Sequence, residues 1–149
     1  PALADRDMHI QMLMHADLHM EDLSSDIAAL PVPVVFDHIG WPSDITAGPD
    51  TAGFRALCRV LADGHAYIKL SGLYRLDNAP YTQTDAFVAA LVAANPERCL
   101  WGSDWPHIML NGAEMPQNDA LWQAFHRIVP DPAIRQQILV DNPARLYDF

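Results

Sequence analysis

Four short apolar runs, opening at positions 8, 34, 66 and 98, recur at a spacing of about 30 residues, the length of one strand-plus-helix unit. Each is rich in branched and large aliphatic residues, as in Val34-Val35-Phe36, and continuous apolar strands of this kind suit a parallel sheet buried on both faces. Each run also ends in polar residues: His15, Asp37-His38, Ser71-Gly72 and Ser103-Asp104. In an eight-stranded barrel those ends line the mouth, where reacting groups collect. A doubly wound sheet would instead require a glycine-rich phosphate loop after one strand, and the sequence has none. The expected fold class is therefore α/β, a partial (β/α)8 TIM barrel: the chain has 149 residues, whereas a whole barrel takes about 200–250.

The segments between the runs carry helix signals. Asp50 or Thr51 caps a helix whose buried face is Phe54, Leu57, Cys58 and Leu61 and which Gly64 closes. Thr82 and Asp85 form the pattern of a capping box ahead of Phe87, Val88, Leu91 and Val92. Leu121, Trp122, Phe125, Ile128 and Val129 mark a third helix ending at Pro130, and Asp131-Pro132 opens a short fourth through Ile134, Ile138 and Leu139. No hydrophilic linker interrupts residues 1–149, which read as one unit. The chain opens on Pro1-Ala2-Leu3-Ala4-Asp5-Arg6, with no initiator methionine and with the look of a helix interior.

Charge and cysteine use narrow the partners. A formal net charge of −10 argues against nucleic acid or an anionic membrane surface, while leaving room for an acidic small molecule in a locally basic pocket. No apolar run reaches the roughly 18 residues of a membrane span, and no signal peptide opens the sequence. Cys58 and Cys99, far apart and outside any C-x-x-C spacing, are expected to be single thiols in a reducing cytoplasm.

The chemistry concentrates at the strand ends. His38 follows a buried strand and reads as a neutral imidazole, either a metal ligand or a group that polarises a carbonyl. Asp37 beside it is expected to face away, since side chains alternate along a strand, and to make a salt bridge or cap a helix behind the barrel. Asp104, at the end of Cys99-Leu100-Trp101-Gly102-Ser103, is a carboxylate too deep to leave unpaired; it reads as a general base toward water or a metal ligand. In the third run Tyr67, Lys69 and Ser71 share one face, and Lys69 there demands a carboxylate partner. Arg75, just past the strand, can grip a substrate carboxylate with its fork or form a surface ion pair. His15 reads equally as pocket wall or structural hydrogen bond, and Trp105 and His107 equally as wall or chemistry. Tyr74 and Trp41 join Arg75, His15 and His107 as expected substrate contacts, while His9, His19, His65 and His126 read as loop or solvent-face residues.

These motifs together resemble a known family. The Asp37-His38-Ile39-Gly40 stretch, Lys69-Leu70-Ser71-Gly72-Leu73-Tyr74-Arg75, Trp101-Gly102-Ser103-Asp104-Trp105-Pro106-His107 and Asn142-Pro143-Ala144-Arg145-Leu146-Tyr147 are similar to the amidohydrolase superfamily, and within it to the 2-pyrone-4,6-dicarboxylate lactonase-like branch. The resemblance covers nearly the whole chain. It implies a (β/α)8 barrel, of which this is the C-terminal half, hydrolysing an ester, lactone or amide bond in a small, often carboxylated ring compound. By that likeness His38 matches the histidine after strand five, Asp104 the aspartate after the last strand, and Arg75 a substrate-binding arginine. It also implies one divalent ion, Zn or Mn, held by His38 and Asp104, or metal-independent chemistry as in the lactonase branch. Two departures matter. No H-x-H occurs in the chain, so the first strands and their histidine pair are expected on a missing N-terminal half or a second chain. Trp41 stands where some lactonases carry an arginine, which favours a neutral or monoacidic lactone over a dicarboxylate. The rival readings are a superfamily decarboxylase, which an imidazole in place of Ser71-Gly72 would favour, and a catalytically incomplete half barrel serving as an association module through an apolar inner face.

Overall fold

A computed structural model of the chain describes residues 3–6 and 8–149. Four strands, β1 (Ile10–Met12), β2 (Val34–Phe36), β3 (Ala66–Leu70) and β4 (Cys99–Trp101), form one parallel sheet in the order β1-β2-β3-β4. Met12 stands level with Phe36, Phe36 with Ile68, and Ile68 with Cys99, so all four polar strand ends emerge along one rim. The helices are α1 (Ala16–Ala28), α2 (Ala52–Ala62), α3 (Asp85–Ala94), α4 (Asn118–Ile128), α5 (Pro132–Gln136) and α6 (Asn142–Tyr147), with a π turn at Gln137–Asp141 joining the last two. Of the opening helical look, Pro1 and Ala2 lie outside the described residues, and Ala4–Arg6 makes a single 3-10 turn. Among the described residues no helix is long and apolar enough to cross a membrane.

Strand alternation divides the core into two layers. Val34, Phe36, Ala66, Ile68 and Cys99 face outward and are fully buried against Met20, Phe54, Leu57, Leu61, Phe87, Leu91 and Ile138. Burying one such side chain is worth about 1.5–3 kcal/mol, so this outer layer is the main hold on the sheet. Helices α1 and α2 approach so closely that a Cβ on Gly53 would lie 2.1 Å from the Asp17 carbonyl oxygen. The inner layer is small: Val35, Tyr67 and Leu100, covered by Leu146 of α6. The expected open apolar inner face is thus corrected. Leu146 closes its lower part, and its upper part is polar.

Local signals fare unevenly. The Thr51 hydroxyl accepts from the Phe54 amide at 3.4 Å and caps α2 as its sequence suggests. Asp131 caps α5 by accepting from the Ala133 amide at 2.8 Å. The Thr82/Asp85 box does not form: residues Thr82–Thr84 make a 3-10 turn, and α3 starts at Asp85. The reason is competition, because Arg127 of α4 takes both Asp85 oxygens at 2.7 and 2.9 Å. Asn142 ties α6 to the sheet. Its fully buried amide donates to Pro96 O at 2.8 Å and Cys99 O at 2.7 Å. Asn142→Ala in the full-length protein is expected to cost about 2–3 kcal/mol, through two lost hydrogen bonds to carbonyls at the base of the sheet. A lowered urea midpoint measures it.

Candidate active site

The β2 end sets the first half of the site. Beyond Phe36 the backbone turns left-handed at His38 (φ 52), Ile39 (φ 51), Gly40 (φ 78) and Trp41 (φ 43). Left-handed backbone costs an L-residue roughly 1–2 kcal/mol, and a β-branched one such as Ile39 is an outlier there. The turn rotates His38 out of the strand's alternation and swings its imidazole to the inner side. Its Nδ1 lies 3.0 Å from Ser71 Oγ, at the end of β3. Gly72 (φ 68) makes room for that approach: a Cβ there would lie 2.7 Å from His38 Cγ and Nδ1.

Asp37 stays in the alternation and therefore also points inward, contrary to the expectation that it faces away behind the barrel. It is buried, accepts from Gln11 Nε2 at 2.8 Å, and pairs with Lys69 Nζ at 2.9 Å. The salt bridge expected for Asp37 and the carboxylate expected for Lys69 are one interaction. It forms the upper, polar tier of the inner face.

The β4 end supplies the second half. Asp104, also left-handed (φ 66), brings its Oδ2 to the Tyr74 hydroxyl, which donates at 2.7 Å, and to Arg75 Nε, which donates at 2.9 Å. His38 Nε2 lies 3.8 Å from the same oxygen. Burial by itself would raise the Asp104 carboxyl. The Tyr74 hydrogen bond, the proximity of His38 and the Arg75 contact outweigh it and hold the group below its ordinary value. Burial is also the main influence on His38; it lowers the imidazole, with Arg75 and Lys69 adding to it and Asp104 and Asp37 opposing. Tyr74 is pushed up to about 12 by burial and by its bond to Asp104. At neutral pH the site holds an ionised carboxylate, a neutral imidazole and a protonated phenol.

Gln11, Asp37, His38, Lys69, Ser71 and Asp104 line a cavity of about 360 Å³, closed at one side by Pro143 and Tyr147 of α6. The other expected substrate contacts are placed differently. Trp41 sets its ring 5.4 Å from the His38 ring, edge to face. His15 Nδ1 donates to the Trp41 carbonyl at 2.8 Å. His107 is buried against Tyr74, 5.2 Å between rings, and its Nε2 bonds Asn118 at 3.1 Å. Arg75 extends past Asp104 to the carbonyls of Ile108 and Met109. Sequence reasoning passed over Gln11, and it quoted Gly72 and Tyr147 within motifs without giving either a role at the site. Period-two alternation along β1 would have found Gln11; the clearance that Gly72 gives His38 and the wall that Tyr147 forms depend on contacts distant in sequence.

A divalent ion would find two donors here, His38 Nε2 and Asp104, and among the described residues no group of three or more His, Cys, Asp or Glu converges. The Asp104 Oδ2 is moreover shared by a phenol and a guanidinium. Structural and catalytic zinc sites use three or four protein ligands. The described residues do not by themselves complete a metal site.

Known proteins share this architecture. The family described as amidohydrolase matches residues 1–149. The 4-sulfomuconolactone hydrolase of Rhizobium radiobacter is 38% identical over 131 residues, 86% of this chain and 44% of that protein. The 2-pyrone-4,6-dicarboxylate hydrolase of Comamonas testosteroni is 32% identical over 150 residues, 93% of this chain and 48% of its own length. A Burkholderia multivorans amidohydrolase crystallised with bound zinc superposes with a TM-score of 0.78 at 25% identity, covering 99% of this chain and 55% of that one. The chain spans less than half the length of the two curated relatives.

Proposed function

The chain belongs to the amidohydrolase family, and we propose that the protein it forms part of hydrolyses the ring ester of a small lactone bearing a single acid group. The carrying observation is the meeting of His38 Nε2 and Asp104 Oδ2 at 3.8 Å on one cavity wall. Ester hydrolysis needs a base toward water and a donor toward the carbonyl oxygen, and these two groups can divide that work. In the tautomer this reaction requires, His38 Nδ1 accepts from the Ser71 hydroxyl at 3.0 Å and the proton on Nε2 polarises the lactone carbonyl. Asp104 takes a proton from water as its oxygen attacks the carbonyl carbon. When the tetrahedral intermediate collapses, the ring C–O bond breaks and the leaving alkoxide recovers that proton, giving the open hydroxy acid.

The relatives' names, a sulfomuconolactone and a pyrone dicarboxylate, both denote cyclic esters with acid groups, which supports the substrate class. Trp41 against His38 supports one acid group over two. We place the rest of the barrel against the free edges of β1 and β4, on a further segment of the same protein or a second chain. We place the protein in the cytoplasm, in keeping with the free thiols Cys58 and Cys99.

The test is a pH-stat assay of the full-length protein on neutral, monoacidic and diacidic lactones. Hydrolysis is expected, fastest on the monoacidic ring. The acid limb follows from the site: the reaction needs neutral His38, whose pKa lies below 6.5, and ionised Asp104, which is lower still. Activity therefore persists as pH falls through 6.5 and is lost below it. Release of CO₂ without ring opening would replace hydrolysis by decarboxylation.

A further inference from the structure

Arg75 is the residue whose contacts depart most from what its position suggests. All three guanidinium nitrogens are engaged inside the chain. Nε donates to Asp104 Oδ2 at 2.9 Å, Nη2 to Ile108 O at 3.0 Å, and Nη1 to Met109 O at 3.3 Å. Its central carbon sits 5.0 Å from the Tyr74 ring centre and 5.7 Å from that of Trp41. The side chain is only 10% exposed. It does not line the cavity that His38 and Asp104 share.

The segment it holds is exposed over most of its length. Trp105, Ile108 and Met109 are 75%, 61% and 68% exposed. The backbone is left-handed at Asp104, His107, Met109 and Asn111, none of them glycine. Such a conformation persists only where surrounding contacts over-determine it. Buried His107, against Tyr74 and bonded to Asn118, is one such contact, and Leu110 packed on the core is a second; the Arg75 fork on two successive carbonyls is a third, and it alone also reaches Asp104.

We infer that Arg75 is a positioning residue: one guanidinium fastens the loop 105–111 and aims the carboxylate of Asp104, so the loop and the base hold their places together. This rests on the reading of Asp104 as the base, and it assigns recognition of the substrate's acid group to other residues. A planar guanidinium spreads its donors over three nitrogens and spans three separated acceptors, whereas the three donors of a lysine radiate from one nitrogen and do not span them.

The test compares Arg75→Met and Arg75→Lys in the full-length protein, with Arg75→Gln if the Met variant fails to fold. Kinetics are read on neutral and monoacidic lactones, and hydrogen exchange on residues 105–111. Arg75→Met is expected to lower kcat by about 10²-fold on both lactones alike, the cost of a slightly misplaced reacting group. KM should move less than about threefold, and loop amides should exchange about tenfold faster or more. Arg75→Lys should recover part of kcat and none of the loop protection. A KM increase confined to the acidic lactone, with kcat and exchange unchanged, overturns the inference and makes Arg75 a substrate anchor. If the wild type opens no lactone, the proposed function fails by itself; the exchange arm still decides whether Arg75 fastens the loop, and unchanged exchange overturns the inference.

Discussion

Asp104→Asn in the full-length protein is expected to cut lactone hydrolysis by at least about 10²-fold while leaving the fold in place. Asparagine keeps the shape of the side chain and an oxygen that can accept from the Tyr74 hydroxyl and Arg75 Nε, the two donors that hold Asp104 Oδ2. It also tolerates the left-handed backbone at this position (φ 66) better than most residues. What it cannot do is take a proton from water. The substitution therefore separates basicity from geometry, and unchanged circular dichroism beside a collapsed kcat/KM is the expected pairing. Turnover within about threefold of wild type would remove Asp104 from the base role, since loss of a true base costs at least about 10²-fold.

The second large effect is expected at a residue that touches no substrate. Gly72→Ala would put a Cβ 2.7 Å from His38 Cγ and Nδ1, on backbone at φ 68. The backbone itself loses about 1–2 kcal/mol by carrying a side chain in that region. The imidazole must then move off Ser71 Oγ, which changes the direction of Nε2 toward Asp104. Misplacement on that scale costs about 10²-fold in rate. Gly48→Ala is the internal control, because its backbone is left-handed too (φ 72) and a Cβ there meets nothing within 4 Å. Comparable activity in the two variants would show that His38 can work from a displaced position.

The sheet was legible from the sequence because its strands are continuous aliphatic runs, buried on the outer face, that recur at the length of one strand-plus-helix unit. Helix α1 was not, for a physical reason. Its N-cap is His15, whose side chain makes no cap hydrogen bond, so no local marker distinguishes it. The Thr82/Asp85 signal was present and lost to a long-range competitor, Arg127. At the site the same distinction recurs. His38 and Asp104 stand at strand ends, which alternation and spacing reveal. The swing of the His38 imidazole, the clearance at Gly72 and the destination of Arg75 all depend on left-handed residues that no periodicity encodes.

Ile39 bears on how freely this chain can vary. It is fully buried and holds φ 51. A glycine there would relieve the backbone by about 1–2 kcal/mol, yet emptying a buried isoleucine site costs about 2–5 kcal/mol. Packing wins, so the outer core holds the turn that aims the imidazole. Drift in that core is then constrained twice, by stability and by chemistry. A substitution at Leu57 or Ala16, which crowd the adjoining Gly40, would be felt first as a change of rate at a mouth neither residue reaches.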